Sequence, residues 1–198
     1  ERTKKIELQR RDITDSIQYA SRIQSALLPP REELDMLLPS YFILNKPRNI
    51  VSGDYYWLAQ KDTKVVVAVA DCTGHGVPGA FMSILGIACL NEILSKSAAI
   101  RANEILNQLR AQIIKSLRQT GKADEARDGM EIALCVVDFE KKKLQYSGAF
   151  RPLYLIRNNE LKEFKGDSMP IGFYDDEDSS FQNEELNFIE NDIIYMFS

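Results

Sequence analysis

The chain has 198 residues, 44% hydrophobic and 27% charged, with a formal net charge of −4. That is enough apolar material for one sizeable core, and too little base for a nucleic-acid-binding domain, which needs a basic face. Lys and Arg gather before residue 32, whereas residues 160–192 set eleven acids against Lys162 and Lys165, the pattern of a solvated surface.

Residues 1–28 contain neither Gly nor Pro and read as one long helix, stopped by Pro29-Pro30. Ile6, Ile13, Ala20 and Leu27 recur every seven residues with Ile17 and Ile23 beside them. That spacing fits either a helix packed on its own domain or a two-stranded coil joining two copies of the chain. The break divides the sequence into an N-terminal helical unit, 1–30, and a domain, 31–198.

From residue 41 the texture is β. Strands are predicted over 41–46, 55–59, 65–70, 131–139, 144–147, 153–157, 160–164, 184–189 and 193–197, and Asn158-Asn159 suits a tight hairpin. Two helices interrupt them. One starts near Pro78, a favourable first-turn residue, and runs to about Lys96, apolar on most faces and so deeply buried. The other, from Ala102 to about Gln119, carries Ile105, Leu109, Ile113 and Leu117 on one stripe. Strands in succession with helices grouped between them predict an α+β layered fold rather than a doubly wound parallel sheet.

Cys72, Cys89 and Cys135 lie far apart in apolar surroundings. An odd number without C-x-x-C spacing speaks against a disulfide framework or structural zinc and for a reducing, cytoplasmic compartment. No apolar run reaches membrane-spanning length and no signal peptide is visible. The sequence lacks an initiating Met and reads as a fragment, so a membrane-anchored parent, with this part on the cytoplasmic side, stays open.

Candidate chemistry concentrates in carboxylates at strand ends. Asp71 closes a run of β-branched and small apolar residues and is followed by Gly74, Gly76 and Gly79; Asp54 follows Gly53 in Ile50-Val51-Ser52-Gly53-Asp54. An unpaired buried charge costs several kcal/mol or more, so each acid needs a cation or several donors. Two acids at adjoining strand ends beside glycine could hold a hard divalent ion; alternatively Asp71 caps a turn by accepting from the amides of Thr73 or Gly74. His75, the one histidine, is either a ligand or proton carrier or simply makes local hydrogen bonds. No P-loop lysine follows Gly74-His75-Gly76, which argues against a nucleotide cradle.

Four stretches in order, Ile50–Trp57 (IVSGDYYW), Val69–Gly79 (VADCTGHGVPG), Asp128–Leu134 (DGMEIAL) and Asp192–Ser198 (DIIYMFS), resemble the bacterial metal-dependent serine/threonine phosphatases of the stage II sporulation protein E/RsbU branch, relatives of the type 2C protein phosphatases. The resemblance runs from Ile17 onward and includes Gln24-Ser25-Ala26-Leu27-Leu28-Pro29. It implies a two-sheet antiparallel β-sandwich flanked by helices, with two Mn²⁺ or Mg²⁺ ions at one end. By position, Asp71 would bridge both ions, the backbone carbonyl of Cys72 would serve one, and Asp54 would bind directly or through water. Asp128 falls near a further, weaker metal position of some relatives. Arg48 could pair with substrate phosphate, its alternative being an ordinary surface arginine. His75, Gly74 and Gly76 would be auxiliary, the glycines leaving room for a phosphoprotein, with the positive end of the Pro78 helix behind them.

The implied reaction is hydrolysis of phosphoserine or phosphothreonine by metal-activated water, in a signalling regulator whose substrate, by family analogy, is an anti-sigma-factor antagonist. The N-terminal helix would join a homodimer and couple an upstream sensor to the site. The family continues after DIIYMFS with Asp-Gly and a later acid, so the sequence as it stands is expected to be C-terminally incomplete, to bind metal weakly and to be impaired. A non-catalytic dimerisation or scaffold module with the same fold is the competing expectation.

Overall fold

Val66, Ala68, Ala70 and Cys72 point to one side of a strand, while Val65, Val67, Val69 and Asp71 point to the other. Both sides of that strand find cover, and the fold follows from it. The computed structural model describes residues 2–97, 100–122, 127–176 and 179–198. In chain order it gives α1 (Arg2–Leu27), α2 (Arg31–Leu37), β1 (Tyr55–Lys61), β2 (Lys64–Cys72), α3 (Val77–Lys96), α4 (Ala102–Ser116), β3 (Met130–Asp138), β4 (Lys143–Ala149), β5 (Leu153–Arg157), β6 (Glu160–Phe164), β7 (Glu184–Asn187) and β8 (Ile193–Tyr195).

A central sheet runs β1-β2-β3-β4-β7 and an outer sheet β6-β5-β8, with antiparallel pairing throughout. One face of the central sheet, carrying Trp57, Val66, Ala68, Ile132 and Leu134, packs on α3 and α4 in the main core. Its other face is shared. Ala133, Cys135, Leu144 and Tyr146 meet Leu153 of β5 and Ile194 of β8, while Leu58 and Val65 meet Leu34 of α2. This is the expected α+β arrangement: two antiparallel sheets with flanking helices and a long N-terminal helix.

Against the expectation that no apolar run reaches membrane-spanning length, helix α3 is long and apolar enough to cross a membrane by length and composition. Here it is the core helix, with Ile87, Leu90 and Ile93 at 1% exposure or less. The hairpin joining β5 to β6 turns on Asn158 and Asn159, at φ 52° and 64°, the pair of positive values that a two-residue turn needs to match strand twist. The C-terminal strand is tied in by Arg157, whose Nη2 lies 2.6 Å from Asp192 Oδ2. All three cysteines are free and buried.

Three further expectations change. Residues 41–46 form no strand: Phe42 and Leu44 are 69% and 75% exposed, and without a neighbour to pair with, β propensity alone does not make a strand. A short helix, α2, appears after Pro30, with Glu32 and Glu33 in its first turn complementing the dipole. Packing of α1 on its own domain fails over most of its length, since Gln24 is its one buried residue among those described and Ile6, Ile13 and Ile23 are at least 50% exposed.

Candidate functional site

The register of the central sheet decides which acids meet. Asp71 stands opposite Glu131 across β2 and β3. Tyr55 stands opposite Ala70 across β1 and β2, so Asp54, one step earlier, falls beside Asp71. Opposite residues share a face, and Asp54, Asp71 and Glu131 therefore form a row across three strand ends. Like charges placed opposite one another destabilise a sheet.

Arg151 answers that charge. Its Nη2 lies 2.6 Å from Asp71 Oδ2 and its Nε 2.8 Å from Glu131 Oε2. The first is a hydrogen bond; the second is an ion pair off the N–H direction, because Nε makes no aligned hydrogen bond. Asp54 is exposed at the surface, yet its carboxyl is raised from the ordinary carboxylate value, first by partial desolvation and then by the hydrogen bond and charge of Asp71, with Arg151 pulling the other way.

Local backbone brings these loops together. A Cβ on Gly53 would come within 3.0 Å of the Gly74 carbonyl oxygen and 3.1 Å of that of Cys72. One on Gly79, in the first turn of α3, would come within 2.6 Å of Gly74 O and 3.0 Å of Gly53 Cα. The Asp54 loop, the Asp71 turn and the start of α3 thus pack backbone against backbone. On the far side, Thr73 N–H donates to Gly129 O at 2.9 Å, and Gly129 N–H donates to Thr73 Oγ1 at 3.1 Å. The Thr73 amide is thereby taken and the Asp71 carboxylate faces Arg151, so Asp71 does not cap its turn through Thr73.

The Asp54 loop is also held from α1. Gln24 Nε2 donates to Ser52 O at 2.6 Å and to Ser83 Oγ at 2.8 Å, and Ser52 N–H donates to Gln24 Oε1 at 3.0 Å. Asp54 N–H in turn donates to Ser52 Oγ at 3.0 Å.

The remaining candidates are scattered around this row. The Cys72 thiol points into the main core and is pushed far up by burial, then by Asp71 and Asp54, which makes it inert; its carbonyl borders the Asp54 loop. Gly74 and His75 are exposed, and Gly76 caps α3. Arg48 is exposed in a bend. Asp128 is half-buried, its carbonyl accepting from Gln119 Nε2 at 2.6 Å. Among the described residues no ion pair joins Arg48, His75 or Asp128 to the acid row.

Among the described residues no group of three or more His, Cys, Asp or Glu side chains is arranged to hold a metal ion by itself. The donors nonetheless suit a hard divalent cation in kind: carboxylate oxygens at 54 and 71 and nearby carbonyls. Beside them opens a cavity of about 220 Å³, lined by Asp71, Thr73, Arg127, Glu131, Pro170 and Phe173 among others.

Sequence reasoning missed Glu131 and Arg151. Glu131 lay inside DGMEIAL, where strand alternation sets it on the face of Ala133 and Cys135; Arg151, between Phe150 and Pro152, gave no local signal.

The family described as Stage II sporulation protein E (SpoIIE) matches residues 61–198. The SiaA-PP2C domain of Pseudomonas aeruginosa is 31% identical, with a TM-score of 0.82 over 94% of this chain and 72% of that one. Phosphoserine phosphatase RsbU of Bacillus subtilis (strain 168) is 23% identical over 196 residues, and the chain spans 53% of its length. RsbX in complex with magnesium shares the fold, with a TM-score of 0.57 at 13% identity over 78% of this chain and 70% of that one.

Proposed function

The chain belongs to the stage II sporulation protein E family of PP2C-like serine phosphatase domains, and from that premise we propose that in its full-length protein this domain hydrolyses phosphoserine or phosphothreonine in a protein substrate, using divalent ions held in part by Asp54 and Asp71. The observation that supports this reading is the acid row: Asp54 beside Asp71, at strand ends that glycines bring into backbone contact.

Asp71 and Asp54 would hold Mn²⁺ or Mg²⁺, with the Cys72 carbonyl as a further oxygen donor. When bound, two such ions supply a water acidified toward neutral pH and neutralise phosphate charge. The chain's own residues do the positioning. Gln24 and Ser52 fix the backbone of Asp54. Arg151 and the sheet register fix Asp71. The buried Cys72 thiol is held protonated, so it offers no competing nucleophile.

The cavity argues for the substrate's size. At about 220 Å³ it is smaller than the ~300–1,000 Å³ of pockets that enclose whole small molecules, and it suits one phosphorylated side chain presented by a protein. An anti-sigma-factor antagonist is the proposed substrate, a homodimer joined through α1 the proposed assembly, and the cytoplasmic side the proposed location. RsbX, in complex with magnesium, shares the fold.

The test is Mn²⁺-dependent release of phosphate from a phosphoserine protein, compared with Asp71→Asn. The reading expects a loss on the order of 10²-fold or more, the scale seen when a group stabilising transition-state charge is removed. Equal rates for the two proteins would remove Asp71 from the reaction.

A further inference from the structure

Arg151 is a built feature. Its side chain is 24% exposed. The preceding Phe150 takes a left-handed φ of 58°, Arg151 N–H donates to Ala149 O at 2.7 Å, and Tyr146 Oη donates to Arg151 O at 2.6 Å. Pro152 follows and stiffens the turn further. The backbone is thus fixed on both sides of Arg151, and its guanidinium reaches two acids of neighbouring strands.

We propose that Arg151 is a resident counter-cation, which holds Asp71 and Glu131 together in the metal-free protein and competes with divalent ions for Asp71, so that it sets how tightly the site takes them. The proposal rests on the metal reading above. A hard dication needs carboxylate oxygens, and Arg151 occupies Asp71 Oδ2. Its fixed positive charge also repels any second cation arriving beside it. Without Arg151 the three acids would face one another unscreened. A guanidinium suits this post because its planar fork can serve two carboxylates at once, which a lysine ammonium does less well.

The sign of the effect separates this role from a structural one. A residue that merely supported the turn would, when removed, weaken both the fold and metal binding. A competing cation, when removed, lowers the stability of the metal-free protein but tightens metal binding. Titrating Mn²⁺ calorimetrically into the chain and into Arg151→Gln, with thermal midpoints in chelator, reads both quantities.

The expected result is roughly ten-fold tighter Mn²⁺ binding in Arg151→Gln, a lower metal-free midpoint, and loss of binding in Asp71→Asn. Equal or weaker binding in Arg151→Gln, with wild type binding and Asp71→Asn not, overturns the role of Arg151 alone. No Mn²⁺ binding by wild type overturns the metal reading and this inference together. If Arg151→Gln does not fold, Arg151→Lys decides: it retains the charge without the fork and should bind Mn²⁺ more tightly than wild type, and equal or weaker binding rejects the proposal.

Discussion

At the scale of single residues, Asp54 carries the clearest electrostatic signature. Burial and Asp71 disfavour its charged form, so its carboxyl is raised, and the folded protein holds that proton more tightly than the unfolded chain does. This contribution to stability is complete below the ordinary carboxylate value of about 3.9. It is lost as the pH rises through the raised value. At neutral pH the ionised Asp54 is disfavoured by desolvation and by Asp71, and Arg151 offsets only part of that. Asp54→Asn should therefore raise the thermal midpoint of the metal-free protein at pH 7, and the gain should shrink as the pH falls toward about 4. Calorimetry in chelator measures it. A lowered midpoint at pH 7 would mean that Asp54 is satisfied in the metal-free fold.

At the scale of elements, α1 is bound to the acid row by one side chain. Gln24 satisfies both the carbonyl and the amide of Ser52, and Ser52 supports Asp54. Gln24→Ala leaves the Ser52 amide without its partner and the carbonyl with only the longer bond from Ser83 Oγ at 3.3 Å, at a cost of about 1–3 kcal/mol. Its effect on phosphate release should be larger than stability alone explains, roughly ten-fold, because a shift of Asp54 misplaces reacting groups. A single residue inserted beside Pro29 turns α1 by about 100° and should reproduce the loss. Urea unfolding and phosphate release, measured on the same samples, separate the two effects; full activity in both variants would break the link between α1 and the site.

Elements were also where the sequence was most readable. The β5–β6 hairpin fell over the predicted residues because Asn158 and Asn159 both supply positive φ. Helix α3 was visible from its apolar surface and from Pro78. Residues 41–46 were misread because Tyr41, Phe42, Ile43 and Leu44 carry β propensity without any strand to pair with. Helix α2 was overlooked because its seven residues are too short to show a period.

At the scale of the whole molecule, the candidate site is a product of register. Asp71 and Glu131 come from two strands, Asp54 from the loop that enters a third, and Arg151 from the turn after a fourth. Asp54 and Asp71 were legible because each sits beside glycine at a strand end. Glu131 and Arg151 were not, because no local pattern says which strands will be neighbours or in what alignment. The central sheet supplies that alignment, and the two layers that cover it leave the strand ends open beside a cavity. The most direct measurement is anomalous scattering from crystals of the protein soaked in Mn²⁺. The account predicts a manganese peak bounded by the carboxylates of Asp54 and Asp71, absent in Asp71→Asn. A well-ordered map in which manganese binds elsewhere, or not at all, would contradict it.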